Sequence, residues 1–320
     1  MNSFFTVENW ILYWLDTYQS IKLKSSCMDS YKSILRTHIS PYIGNIQLLS
    51  LTSEDIQKMY MQLSKCGRFD GKGGLSAKTI INVHRLLNNA LKNAVIHGEM
   101  ERNPCDLVVL PKYNRTVMRC LTIDEQRKIL SAVKDSYYAP VFAFALQTGM
   151  RLGEVMGLTW NDVDFFNRVI TVSHTLKRVN VFGEDTKTKL KFSTPKTCNS
   201  YRQIPLTDSL YNLLFEQHKR KSITTNQVFC NTKGELCGPR YIEQYFQNVC
   251  KRLNLKGVSF HTLRHSFATT CLQADIPIKT VSELLGHSTV QITMDLYQHV
   301  DLNTKKLALD KLEHFKDSCI

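Results

Sequence analysis

Apolar residues fall at helical spacing near the start of the chain. Trp10, Ile11, Trp14, Leu15 and Tyr18 form a stripe along residues 7–18, the mark of a helix that buries one face. A second helix is predicted from about Ser26 to His38, ending ahead of Pro41, because the residue before a proline avoids the helical region. Thr52 or Ser53 begins a third, with Glu54 and Asp55 in the first turn, where acidic groups suit a helix N-terminus. The glycine-rich loop from Cys66 to Gly74 matches no phosphate-cradling pattern and reads as a flexible connector. Ser76 caps a long helix reaching about His97, with Gly98 placed to stop it. Residues 104–120 read as a linker, punctuated by Pro104 and Pro111 and charged at Lys112, Arg115 and Arg119 without apolar periodicity. Thr122 and Glu125 then make a capping-box pattern. From Leu158 to Leu206 the texture turns to strand-like alternation, as in Val169-Ile170-Thr171-Val172-Ser173, and helical texture returns from about Pro239. The pattern predicts a helical first domain and a mixed second domain, helices around a small antiparallel sheet.

Charge adds a class of partner. Lys plus Arg number 41 against 28 Asp plus Glu, a formal charge of +13, and both domains share the excess. Such a surface favours a polyanion, either nucleic acid or an acidic membrane face. The longest apolar run, Tyr137 to Leu146, is about half a bilayer span. Met1-Asn2-Ser3-Phe4-Phe5 lacks the basic start and small-residue cleavage site of a signal peptide. The 10 cysteines are scattered singly, with no CxxC pair and no zinc-like spacing. Thiols in a reducing cytoplasm are expected, with no disulfide framework, no metal and no cofactor.

Four short segments carry candidate chemistry: Thr148-Gly149-Met150-Arg151-Leu152-Gly153-Glu154, Thr194-Pro195-Lys196-Thr197, His261-Thr262-Leu263-Arg264-His265 and Leu284-Leu285-Gly286-His287-Ser288, followed by Tyr297. His261 and Arg264 stand three apart on a predicted helix and share a face. A guanidinium and an imidazole aimed into one space are a poor structural pair, but a phosphate between them resolves the conflict. The planar fork of arginine binds two phosphate oxygens, and histidine moves or holds a proton. Gly286 ends the preceding helix, so His287 falls at or just beyond a helix C-terminus, and Tyr297 follows in a short helix from Val290 to Gln298. Each element alone is common on protein surfaces; the combination is not.

Together, Arg151, Lys196, His261, Arg264, His287 and Tyr297, in the contexts TGMRLGE, TPKT, HTLRHSFAT and LLGHS, resemble the catalytic signature of the tyrosine recombinases, the phage and conjugative-transposon integrases. The stretch GKGGLSAKTI and the RNP before the linker are similar to that family's core-binding domain. The resemblance implies a multi-domain protein. Residues 1–107 would form an all-α, SAM-like core DNA-binding domain, residues 108–119 a linker, and residues 120–320 a mixed α+β catalytic domain. That domain would carry a basic β-hairpin insertion at about 174–192 and a C-terminal tail helix at about 303–316. A further N-terminal arm-binding domain, carried by longer members, is expected to be absent from this chain.

The resemblance also implies roles. Tyr297 would attack a DNA phosphodiester to give a 3′-phosphotyrosyl bond and a free 5′-hydroxyl, with neither ATP nor metal. Arg151 and Arg264 would neutralise the transition state, Lys196 would protonate the leaving oxygen, His261 would act as general base and His287 as a hydrogen-bond donor. Lys187, Lys189 and Lys191 compete with Lys196 for the acid role, and TPKT favours Lys196. Glu154 either orients Arg151 or makes an ordinary surface salt bridge; His265 and His299 read as structural. The implied partners are double-stranded DNA crossover sites, a homotetramer on synapsed DNA, and an excisionase or DNA-bending accessory protein, in a bacterial cytoplasm at the nucleoid. The hairpin is either a solvated loop or a finger on backbone phosphates. The tail either packs on its own domain or exchanges with a neighbouring protomer. A topoisomerase-like nicking enzyme and a DNA-binding regulator are the competing readings.

Overall fold

Several helix starts in this chain are fixed by side chains that accept the first free backbone N–H groups. Thr52 and Asp55 form a full capping box, as do Thr122 and Glu125, and the Ser76 hydroxyl accepts from the Thr79 amide. The computed structural model describes residues 5–68, 70–113, 119–180, 188–193 and 201–297, apart from the side chains at 25–26, 180 and 295–297. The chain divides into two compact units, Met1–Thr116 and Val117–Ile320.

In the first unit, α1 (Val7–Trp14), α2 (Ser25–Ile34), α3 (Ser40–Ile43), α4 (Ser53–Cys66) and α5 (Ala77–Ile96) gather around one core. Trp10, Ile11, Trp14 and Leu15 of the predicted stripe are buried in it, and the Trp10 indole N–H donates to the Ala90 carbonyl at 2.8 Å. π-helical turns extend α1 through Leu15–Gln19 and α2 through Leu35–Ile39. The chain does not leave the helical state ahead of Pro41, as the proline rule predicts. Pro41 instead lies in the first turn of α3, where its missing N–H breaks no helical bond, and burial of Ile39 and Ile43 holds the turn. The linker predicted from residue 104 also begins later. Pro104–Leu107 is a 3₁₀ turn with Pro104 and Cys105 buried. The Gln57 amide bonds both the N–H and the C=O of Val109, at 2.8 and 3.2 Å, while Val108 and Leu110 pack on the core.

In the second unit, α6 (Ile123–Val133), α7 (Ala139–Thr148) and α8 (Leu152–Gly157) precede five short strands. These are β1 (Val163–Asp164), β2 (Val169–Val172), β3 (Thr175–Asn180), β4 (Thr188–Ser193) and β5 (Arg202–Pro205). β1, β2 and β5 form one antiparallel sheet in that order, and β3 and β4 form a separate hairpin with Lys177 opposite Lys191. The helices α9 (Asp208–Lys219), α10 (Pro239–Arg252), α11 (Phe260–Gln273), α12 (Ile278–Leu285) and α13 (Val290–Tyr297) follow. The mixed second domain with a small antiparallel sheet is thus the fold observed, but α9 comes earlier than the return of helices expected at Pro239. Only Leu210 and Leu214 of α9 are buried, too thin a stripe to announce a helix, although Thr207 caps it.

Phe142, Phe246 and Phe260 meet with ring centroids 5.4 to 6.1 Å apart and join α7, α10 and α11. α7 ends at Gly149, whose φ of +61° is left-handed. A Cβ there would also run into Phe267 of α11 and Leu285 of α12, so only glycine lets the three helices meet. No helix among the described residues is long and apolar enough to cross a membrane.

Candidate active site

The C-terminal turn of α12 is the centre of the site. Gly286 adopts φ +64°, and two bonds close a Schellman turn: Gly286 N–H to Glu283 O at 3.0 Å and His287 N–H to Ser282 O at 3.1 Å. The next three carbonyls each receive one guanidinium. Arg202 Nε donates to Leu284 O at 2.6 Å, Arg264 Nη2 to Leu285 O at 2.7 Å and Arg151 Nη2 to Gly286 O at 3.3 Å. A helix C-terminus carries partial negative charge and unpaired acceptors, so the backbone itself gathers cations here.

One carboxylate organises this cluster. Glu154 stands in the first turn of α8, just after Arg151, with its side chain 5% exposed. It accepts from the Arg151 amide at 3.0 Å, from Arg151 Nη1 at 2.8 Å and from Arg202 Nη2 at 2.9 Å. Burial pushes the Glu154 carboxyl up, but Arg202 and then Arg151 outweigh it and hold the pKa below the usual carboxylate value. Of the two choices left by sequence, a surface salt bridge is excluded. Arg264 is 2% exposed, and Nη1 also donates to Gly149 O at 2.9 Å. Burial, then Arg151, pulls Arg264 down to about 9, so it remains a cation at neutral pH. Three guanidiniums against one carboxylate leave the pocket positive, and Arg151, 39% exposed along its side chain, opens it to solvent.

The histidines ring this positive centre. His261 presents an edge to solvent and stacks its ring, T-shaped, on His265 at 4.5 Å. Desolvation of the rest of the ring, then Arg264 and Arg151, keep the His261 pKa below its ordinary value. Burial, then Arg264 and Arg151, lower His287 to about 4; burial, then His261 and Arg264, lower His265 to about 4. All three shifts favour the neutral imidazole at pH 7. His287 Nδ1 pairs with the hydroxyl of Thr293 at 2.8 Å, and Thr293 is fully buried on α13. That bond ties α13, which the Tyr297 backbone closes, to the rim of the site.

Arg151, His261, Arg264 and His287 are therefore brought together. Lys196, the side chain of Tyr297, Gln298, His299, the hairpin turn at 181–187 and the tail at 303–316 lie outside the described residues. Sequence reasoning missed Arg202 and Thr293. The alternation of β5 held the signal for the first, because Arg202 is in phase with buried Ile204 while Gln203 and Pro205 face out, and a buried arginine demands a carboxylate. Among the described residues no group of three or more metal-ligating side chains gathers.

Comparison with known proteins identifies the family of the chain. Residues 119–304 match the phage integrase family, and residues 6–64 match the N-terminal SAM-like domain of phage integrases. A XerC-like tyrosine recombinase of Caldanaerobacter subterraneus is 30% identical over 86% of this chain and 75% of its own. The ICEBs1 integrase of Bacillus subtilis is 26% identical over 92% of this chain and 79% of its own. In fold, the Tn1549 transposon integrase bound to a circular intermediate DNA superposes with a TM-score of 0.81 at 22% identity, covering 96% of this chain and 99% of that one. A lambda integrase tetramer on a Holliday junction gives 0.67 at 19% identity, covering 92% and 79%. With more than half its length matched by the family and a 30% identical relative along most of it, the chain belongs to the phage integrase family of tyrosine recombinases.

Proposed function

We propose that this protein integrates and excises a mobile DNA element by cutting and rejoining DNA at crossover sites through Tyr297. One observation carries the reading: the Arg151 and Arg264 guanidiniums converge on consecutive carbonyls of the α12 turn, His261 and His287 lie within reach of both charges, and the helix that ends in Tyr297 is pinned to that turn through Thr293 and His287. A phosphodiester reaching this turn meets the exposed Arg151, with the buried charge of Arg264 behind it, and the two neutralise the charge that builds on its non-bridging oxygens. Each such contact is worth about 3 kcal/mol if it acts as an oxyanion-hole donor does. Neutral His261 is able to take the Tyr297 proton. If the Thr293 hydroxyl donates to Nδ1 of His287, that ring carries its proton on Nε2 and donates to the phosphate. Lys196 supplies the proton to the departing 5′-oxygen. The bond energy is stored in the 3′-phosphotyrosine, so rejoining needs no external energy source.

The wider assembly follows from the same reading. The lambda relative is seen as a tetramer on a Holliday junction, and a homotetramer on synapsed DNA, with an excisionase or a DNA-bending protein directing it, is the expected working form at the bacterial nucleoid. The β3–β4 hairpin suits a finger on DNA. Lys177 and Lys191 are directly opposite, and Lys189 lies on the same face. Like charges across a strand pair are unfavourable until a polyanion lies over them. The test is a nicked suicide duplex. Wild-type protein is expected to give a covalent protein–DNA adduct, and Tyr297→Phe to bind the duplex equally and give none. An adduct that persists in Tyr297→Phe refutes the assignment.

A further inference from the structure

Arg202 lies outside the catalytic set read from sequence, yet it is the most enclosed partner of Glu154. Its side chain is 6% exposed, and it spans from the Glu154 carboxylate to the Leu284 carbonyl. It opens β5, while Arg151 opens α8 and Arg264 lies on α11. All three converge on consecutive carbonyls of one helix end. Between the two arginines that hold Glu154, exposure divides the labour. Arg151 keeps open surface for a ligand, whereas Arg202 is turned wholly into the protein. We propose that Arg202 is a positioning residue: its guanidinium locks Glu154 and the C-terminal turn of α12 together, and thereby fixes Arg151 and His287 on the scissile phosphate.

The chemistry of the fork explains why arginine is needed. Nε and Nη2 of one rigid plane reach two acceptors on different elements at 2.6 and 2.9 Å. A lysine ammonium, a single point charge, holds one of these well. The charged groups facing Glu154 are Arg151 from the start of its own helix, Arg202 from β5 and, beyond them, Arg264 from α11. Without Arg202, burial pulls Glu154 toward its protonated form. A protonated carboxyl grips the Arg151 guanidinium poorly, and Arg151 then swings on its exposed stem.

This inference rests on the recombinase reading, and the experiment separates the two. Single-turnover cleavage of a nicked suicide duplex is measured from pH 5.5 to 8.5, with duplex affinity measured in parallel. Arg202→Met is expected to cleave about 10²-fold more slowly, to keep duplex affinity within about threefold, and to gain a limb in which the rate rises with pH as Glu154 ionises. Adding Glu154→Gln removes that limb, which a merely structural arginine would not produce. Arg202→Lys falls between, about tenfold slow. A folded Arg202→Met that cleaves like wild type overturns the proposal, as does one that loses rate and affinity equally with an unchanged profile. If Arg202→Met does not fold, Arg202→Lys decides: a wild-type rate there overturns it. A wild-type protein that forms no adduct sinks the recombinase reading and this role with it, whereas wild-type cleavage beside an unaffected variant sinks the role alone.

Discussion

Replacing Glu154 by glutamine changes one charge and almost no volume, so it measures what holds the cationic cluster together. In the native protein its two oxygens accept three hydrogen bonds, from the Arg151 amide, Arg151 Nη1 and Arg202 Nη2, at 2.8 to 3.0 Å, with only 5% of the side chain exposed. Glutamine keeps one acceptor and turns an NH₂ group toward donors. Arg151, Arg202 and Arg264 then share a pocket without an anion. Breaking a buried ion pair costs about 3–5 kcal/mol. Arg151 is 39% exposed and recovers part of that through solvent, so the lower end, about 3 kcal/mol, is appropriate. For a unit of this size about 1 kcal/mol moves the melting midpoint by roughly 2–4 °C, so Glu154→Gln should lower it by roughly 6–12 °C. Scanning calorimetry of the full chain reads this directly. A phosphate-bearing ligand should return more of the loss in the variant than it adds to wild type, because it restores the missing anion. A variant that melts within about 2 °C of wild type in the absence of DNA would refute the claim that this carboxylate organises the site.

Acid should destabilise the catalytic unit in a defined window. His265 and His287 are held down to about 4, against an unfolded value near 6.5, so the unfolded chain binds protons that the folded one refuses. Stability is complete above about pH 6.5 and is lost as pH falls toward 4. The midpoint at pH 5 should lie below that at pH 7 and the gap should shrink in His287→Gln; a flat profile contradicts the neutral imidazoles. Lys177, Lys189 and Lys191 replaced together by alanine should reduce the slope of log affinity against log salt by about 2.7, near 0.9 per phosphate contact, and an unchanged slope would favour a solvated hairpin. Gly149→Ala should be severely destabilising. The residue sits at φ +61°, its Cβ would enter Phe267 and Leu285, and its carbonyl holds Arg264. A soluble, active Gly149→Ala protein would show that the three helices have room to shift.

Much of this architecture was legible because local patterns carry it. The Trp10, Ile11, Trp14 stripe, the Thr52 and Thr122 caps and the alternation in Val169–Val172 each announce an element from a few residues. The same locality explains the failures. Pro41 is tolerated because of where a helix restarts, which depends on burial of Ile39 and Ile43 across the core. Residues 104–110 read as a connector because Pro104 and Pro111 bracket them and their apolar residues follow no helical period, yet one glutamine side chain on α4 ties them down. In the site, His261 and Arg264 could be paired from spacing alone, whereas Arg202 could not be joined to Glu154, forty-eight positions away, without coordinates. The acceptors that gather the arginines are backbone carbonyls, which leave no mark on side-chain identity beyond the glycine that ends α12.

The direct test of the account is the identity of the atom joined to DNA. Protein trapped on nicked duplex is digested with protease and nuclease, and the nucleotide-bearing peptide is sequenced by mass spectrometry. The 3′-phosphate should be found on the phenolic oxygen of Tyr297. A link through any other residue, or through a 5′-phosphate, would contradict the assignment of this site.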